Sequence, residues 1–295
     1  MLSQHSGLFL RTMLGYKEIY PDRNVSVLHS FGRPSPDNHA YCTKYRNLIN
    51  SLSLDCGTFT KNNSKNSDIN ITLKAYIGFL KVVEKYYDFY FNFDEDFSVN
   101  GWTTNIPIQL EIEKAGFSPV PVVHDCHGSE PDYYIDKGHK MVAIGSGGLA
   151  KAQAEELYPM MDKFYRAGVK VHFLGAVKYK LIAFLPVWSC DSSTWNQTPG
   201  RGYVLYWNPN KRDIDKTDRI YLEDNYPFQK GKMYFMSYPH RTEFETYIDK
   251  ELGLTYGDLM GPDWLLNREL VNLHYFCELE RLVTNKHREL GFQFD

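Results

Sequence analysis

The sequence predicts an α/β fold, a (β/α)8 barrel of the TIM type with a mostly helical C-terminal extension, on three observations. Strand-like runs of Val, Ile, Leu and Phe recur roughly every 20 to 35 residues, the repeat of βα units. Several runs, such as Val120 to Val123 and Val142 to Ile144, are almost continuously apolar, as strands covered on both faces must be. The segments between them carry a helical period.

Taken in order, strands are expected near Val25 to His29, Leu52 to Asp55, Phe89 to Phe93, Val120 to His124, Val142 to Gly145, Val169 to Leu174 and Val187 to Cys190, with an eighth at Tyr203 to Trp207. From Leu73 to Tyr87 the residues Leu73, Ile77, Leu80, Val83 and Tyr87 step by three and four, which predicts one amphipathic helix. A second helix is expected from Lys151 to Ala167, with Leu157, Met161 and Phe164 on one side, a possible kink at Pro159 and a stop at Gly168. The polar run Asn62 to Ser67 follows the second strand as a loop. Asn208 to Asp213 reads as another loop, and Trp264 to Leu290 as a helix packed outside the main domain. Residues 1–295 are thus expected to form one domain, with a barrel core over about 25–207 and an extension over about 208–295.

The 295 residues are 43% hydrophobic and 15% aromatic, enough for a large core. A net charge of −3 excludes a globally basic nucleic-acid binder, so any polyanion must be met by a local basic patch. The cysteines Cys42, Cys56, Cys126, Cys190 and Cys277 are odd in number and scattered, which suggests neither a disulfide framework nor a thiolate zinc site and fits a reducing cytoplasm. No apolar run approaches the length of a bilayer span, so no membrane partner is expected.

The chemistry-bearing residues gather at the predicted strand ends, and in a barrel those ends share one face. Asp55 precedes Cys56-Gly57, where it suits either general acid/base work or a turn whose amides it satisfies. Asp94 opens the acidic run Asp94-Glu95-Asp96, which is either a ligand-reading element or a solvated loop. Gly145-Ser146-Gly147-Gly148-Leu149-Ala150 joins a strand to a helix without the G-x-G-x-x-G spacing of a dinucleotide site. Asp191 suits a glycosidic nucleophile or a helix N-cap. Arg201, Lys178 and Lys180 are candidate phosphate contacts or plain solvated charge. In His124-Asp125-Cys126-His127 a metal is not expected, because neighbours in an extended segment rarely converge on one ion, and His124 is assigned to the pocket instead.

In their order and spacing these segments resemble the tRNA-guanine transglycosylase superfamily, and more closely its short phage and bacterial relatives that modify DNA. Asp55-Cys56-Gly57-Thr58-Phe59 is similar to that family's Asp-Thr-Gly-Gly-Phe element, Asp94-Glu95 to its base-recognising acids, Gly147-Gly148-Leu149-Ala150 to its Gly-Gly-Leu-Ala loop, and Cys190-Asp191 to the position of its nucleophilic aspartate. The resemblance covers roughly Val25 to Gly202. Members acting on tRNA carry a C-x-C-x-x-C and a distant His for zinc, whereas only Cys277 lies beyond Asp191 here.

The resemblance implies exchange of guanine in a nucleic acid, DNA favoured over tRNA, for a 7-deazaguanine base such as 7-cyano-7-deazaguanine, with no cofactor. Asp191 would be the nucleophile and Asp55 the acid/base. Asp94, Gly147, Gly148, Leu149, His124 and Phe59 would hold the base, and Arg201, Lys178 and Lys180 the nucleic-acid backbone. Trp195 and Tyr203 are further stacking candidates or core residues. Hydrolysis of a glycosidic or N-glycosidic bond by the same carboxylates, and a barrel that only binds nucleic acid or nucleobase, are the alternatives.

Overall fold

The computed structural model describes residues 2–3, 9–33, 41–63, 71–145, 149, 153–222 and 230–294. The chain divides into two compact units: residues 1–4, 25–192 and 286–295 form the first, and residues 5–24 and 193–285 the second.

The first unit is mixed α/β with parallel sheets. Strands β1 (Leu2–Ser3), β2 (Val25–Ser30), β3 (Ile49–Asp55) and β4 (Phe89–Tyr90) form one sheet in that order. Strands β5 (Val122–Val123), β6 (Met141–Ile144), β7 (Lys170–Phe173) and β8 (Ser189–Cys190) form a second, also in chain order. Every ladder in both is parallel. A parallel bridge between Phe91 and Val120 joins them, with Asn92 N–H donating to Val120 O at 2.8 Å and Val120 N–H to Tyr90 O at 2.8 Å. Eight strands therefore follow one another in sequence order, and among the described residues β8 and β1 share no ladder.

Two contacts show that this array curls. Neighbouring strands lie about 4.8 Å apart, so a flat sheet would hold β4 and β7 roughly 14 Å from each other. The rings of Phe91, just past β4, and His172 of β7 are instead 4.9 Å apart. Leu28, Phe91, Val120, Val122 and Ala143, from β2 and the β4 to β6 region, likewise form one buried cluster. Curling turns the apolar side chains of separate strands onto a shared core and directs the strand ends toward one another.

The helices form where capping and burial agree. Helix α3 (Leu73–Val83) starts on Thr72, whose hydroxyl accepts the Ala75 N–H at 3.2 Å, and it buries Tyr76 and Leu80. Tyr76 also donates its hydroxyl to Phe91 O at 2.8 Å, which ties the helix to the strand that leads to Asp94. Beyond Val83 the expected helix tightens into a 3-10 turn at Glu84–Tyr86. Helix α6 (Ala154–Arg166) opens with a capping box between Gln153 and Glu156 and buries Leu157, Met160, Met161 and Phe164. At about 2 kcal/mol per buried side chain, that stripe supplies most of the helix's attachment. It ends at Gly168, whose φ of +68° suits the left-handed C-terminal position.

The eighth strand is a correction to the sequence reading. The parallel array begins with Leu2–Ser3 and ends with Ser189–Cys190, while β9 (Tyr203–Trp207) belongs to the second unit. There it pairs antiparallel with β10 (Thr217–Tyr221), which carries β11 (Met233–Tyr234) on its other side. Strand propensity marks Tyr203-Val204-Leu205-Tyr206-Trp207 correctly but says nothing of its partner. With this sheet belong α1 (Phe9–Ile19), α8 (Thr194–Gly200), α9 (Arg241–Leu252) and most of the long α10 (Trp264–Leu290), and over 208–295 the helices α9 and α10 accompany the short strands β10 and β11. Buried Asn272 of α10 braces this unit, accepting the Leu205 N–H at 2.8 Å and donating to Trp195 O at 2.9 Å and Thr198 Oγ1 at 2.8 Å. Trp195 and Tyr203, the further stacking candidates, are both buried here.

One glycine holds two strand ends together. Gly57 has a φ of +81°, and a β-carbon there would fall 2.6 Å from Gly32 Cα, against the turn that leaves β2. Gly57→Ala is therefore expected to cost about 2–4 kcal/mol in urea unfolding, through strain added to a backbone clash. An unchanged unfolding midpoint would contradict this.

Candidate functional site

The C-terminal ends of β3, β4, β5, β7 and β8 each deliver one polar group to the same region of the first unit. The ladder fixes the positions: Ser30 closes β2 opposite Asp55 at the end of β3, and Asp191 N–H donates to Phe173 O at 3.2 Å just past β8. Parallel strands bring their carboxyl ends to one side, so residues far apart in sequence meet there.

Asp55 is half-buried. Its Oδ2 accepts from Ser30 Oγ at 3.1 Å and from Gly57 N–H at 3.0 Å, so the turn reading and the acid/base reading describe the same side chain. Burial pushes its carboxyl up to about 6, and the nearby Asp191 carboxylate adds to the rise against the two donors. In a flat sheet β3 and β8 would stand roughly 24 Å apart, too far for that repulsion, so the curl has brought the two acids together.

Asp191 is 5% exposed. Its Oδ1 accepts the Gly175 N–H at 2.8 Å and faces His172 Nε2 at 3.4 Å. His172 is fully buried, and its Nδ1 meets Ser189 Oγ at 2.7 Å. Burial lowers the imidazole's pKa, outweighing the pull of Asp191.

Asp94 is 2% exposed, so it is no solvated loop acid. Asn92 Nδ2 donates to its Oδ1 at 2.6 Å, while Oδ2 makes no hydrogen bond and lies 3.4 Å from His124 Nε2. On its other side His124 Nδ1 faces Glu130 Oε1 at 3.6 Å. Glu130 is completely buried and accepts the backbone N–H groups of His124 at 2.8 Å and Asp125 at 2.7 Å through Oε2. Burial raises Asp94 to about 7 despite the opposing pull of His124. For His124 burial acts downward, but the Glu130 and Asp94 carboxylates outweigh it and raise its pKa. Asp94 and His124 thus pull on each other's protons and titrate as a coupled pair.

The loop after β5 explains itself locally. Asp125 Oδ1 accepts the His127 and Gly128 N–H groups at 3.0 and 2.9 Å, which turns that carboxylate toward its own backbone. His124 alone of His124-Asp125-Cys126-His127 joins the acids.

Phe59 is 57% exposed, and its ring meets that of Phe97, 41% exposed, edge-on at 5.8 Å. Phe97 in turn lies 6.5 Å from the His124 ring, so an aromatic pair borders the acidic cluster. Leu149 is helical and 2% exposed; Gly147 and Gly148 lie outside the described residues. Lys178 and Lys180 are exposed at α7 (Tyr179–Ile182), three and five residues beyond the Gly175 amide that holds Asp191. Arg201 belongs to the second unit, where its Nη2 donates to Gln197 Oε1 at 3.2 Å.

The arrangement offers a carboxylate at Asp191 suited to attack, a carboxyl at Asp55 suited to proton transfer near neutrality, and a buried acceptor at Asp94 for the N–H edge of a ligand. Sequence reasoning missed Ser30, Phe97, Glu130, Gly175 and His172. Glu130, in Ser129-Glu130-Pro131-Asp132, looks like an ordinary first-turn acid of the helix over Glu130–Asp136, and His172 like one polar break in an apolar strand. Only the tertiary pairing reveals them.

Glu130→Ala would strand two backbone amides and remove the anion beside His124. A loss of roughly 3 kcal/mol in urea unfolding is expected, with Glu130→Gln losing less because one acceptor remains. Equal losses for both variants would contradict this account of the carboxylate.

No family model matches this chain. No match was found among curated proteins. Among solved structures, a mandelate racemase/muconate lactonizing protein from Herpetosiphon aurantiacus aligns with a TM-score of 0.40 at 13% identity, over 65% of this chain and 54% of that one. The chain thus spans about half the length of that structure.

Proposed function

We propose that the protein is a glycosyltransferase of the base-exchange type, built on a (β/α)8 barrel, that replaces guanine in a nucleic acid by a 7-deazaguanine base. The observation that carries this reading is the placement of Asp55 and Asp191 at the carboxyl ends of strands in one curled parallel array, where the charge of Asp191 helps to raise the Asp55 carboxyl and buried Asp94 follows a third strand. Eight parallel strands in sequence order are what a barrel of this kind requires.

In the first half-reaction an Asp191 carboxylate oxygen bonds to C1′ of the target guanosine while the C1′–N9 bond breaks, its electron pair leaving with the purine. Asp55 donates the proton that the departing base takes up. In the second half the incoming base gives its N9 proton to Asp55 and attacks C1′, and the C1′–O bond to Asp191 breaks with its electron pair returning to the carboxylate. A pKa of about 6 suits Asp55 to both directions, because neither protonation state is rare near neutrality. Asp94 accepts from the base's N–H edge, and Phe59 with Phe97 offers a surface on which an extruded base stacks. Lys178 and Lys180, on the same unit as the acids, are assigned to backbone phosphates, with DNA favoured over tRNA.

The test is incubation of the enzyme with DNA or tRNA and isotopically labelled guanine, followed by digestion and mass spectrometry of the nucleosides. Base exchange predicts label within nucleosides. Abasic sugar without label would favour the hydrolase, and unaltered nucleic acid of both kinds would overturn the proposal.

A further inference from the structure

We propose that His172, fixed by Ser189, is a positioning residue for Asp191, holding the carboxyl group through its Nε2–H while remaining neutral itself. This inference rests on the reading of Asp191 as the nucleophile. Its geometric basis is a chain of three side chains on adjoining strand ends, with Ser189 Oγ 2.7 Å from His172 Nδ1 and His172 Nε2 3.4 Å from Asp191 Oδ1. The register of β7 and β8 enforces the first contact, since His172 and Ser189 are paired residues.

The tautomer follows from the partners. Burial disfavours the imidazolium, so the ring carries one proton. Nε2 faces an acceptor oxygen, an approach that is attractive only if the proton sits there. Nδ1 is then bare, and the Ser189 hydroxyl must donate to it. The ring cannot turn away, because Phe91 packs on it at 4.9 Å and Phe89 at 6.2 Å. Asp191 Oδ1 therefore receives two fixed donors, this ring and the Gly175 amide, whose turn uses a φ of +69° at Gly175.

Two donors on one oxygen orient the carboxyl plane. They also act where charge changes during the reaction: negative charge leaves Asp191 as the bond to C1′ forms and returns as it breaks, and a preorganised N–H stabilises the returning charge. A charged partner would hold the carboxylate more strongly in its resting state and oppose the first step. A neutral donor avoids that penalty.

The experiment compares His172→Phe, which keeps the packing against Phe89 and Phe91 but removes the donor, with His172→Gln, whose amide nitrogen can stand in for Nε2–H. In guanine exchange, kcat for His172→Phe is expected to fall about 100-fold with KM for the base changed less than about 3-fold, and His172→Gln should recover to within about 10-fold of the parent. Thermal melting checks that both variants fold. A second readout needs no turnover: nitrogen NMR of histidine-labelled parent protein should show His172 as the neutral Nε2–H tautomer near pH 7, and Ser189→Ala should weaken that preference. An Nδ1–H tautomer, an imidazolium, or unchanged turnover in folded His172→Phe overturns the inference. A parent protein that shows the expected tautomer yet exchanges no guanine sinks the base-exchange reading instead, and with it the role given to His172.

Discussion

Replacing Asp191 by Asn is expected to lower guanine exchange by at least about 1,000-fold while leaving the fold and the binding of nucleic acid and base intact. The amide is the same size as the carboxyl group, and its oxygen can still accept from the Gly175 N–H and from His172 Nε2, so the strand end keeps its partners. What the substitution removes is the anionic oxygen that bonds to C1′. It also removes the charge that helps to raise Asp55, whose pKa should therefore move down from about 6 toward the ordinary carboxylate range. Carbon NMR of the labelled side chain would follow that movement. Both effects in one variant would link the two acids directly. A protein that only binds nucleic acid would lose nothing with Asp191→Asn.

Asp94→Asn should separate stability from activity. Asp94 is raised to about 7 in the folded protein, against about 3.9 in an unfolded chain, because burial penalises its charged form. Between those two values the folded state holds the proton that the unfolded state releases, so raising the pH destabilises the fold across this window. The penalty is absent below about pH 4 and complete above about pH 7. Removing the carboxyl group removes the penalty, so Asp94→Asn should be more stable than the parent at pH 8, by roughly 2 kcal/mol once the loss of a counter-ion for His124 is set against the gain. Near pH 4 the difference should vanish. Activity moves the other way, since an amide N–H would face the N–H edge of the base, and KM for the base is expected to rise at least about 100-fold. A variant equally stable at both pH values, or one that retains its affinity for the base, would contradict the role given to Asp94.

The acids were legible in the sequence because of where they stand. Asp55 and Asp191 end or follow short apolar runs, Asp94 follows Phe89 to Phe93, and ends of parallel strands share a side whatever the intervening helices do. Periodicity also gave the helix from Leu73 and the helix centred on Met161, since each buries a stripe that local spacing encodes, whereas the long helix from Trp264 buries the unbroken run Arg268 to Tyr275. Pairing partners are a different matter. Leu2–Ser3 is too short to carry a pattern, and Tyr203–Trp207 reads as a strand in either sheet, so among the described residues Leu2–Ser3 joins the parallel array and Tyr203–Trp207 does not. His172, Ser30 and Glu130 escaped for a related reason. Each is an ordinary residue in its own segment, and its significance lies in a neighbour 19, 25 or 6 positions away.

The most direct test of the central claim is to trap the covalent intermediate. Enzyme mixed with guanine-containing oligonucleotide in the absence of an incoming base, then quenched, digested and mapped by peptide mass spectrometry, should carry the nucleic acid on a single side chain. The account predicts an acid-trapped adduct on Asp191, absent from Asp191→Asn and discharged by added 7-deazaguanine base. An adduct on Asp55 or any other residue, or release of guanine with no adduct under conditions that trap fast intermediates, would contradict it.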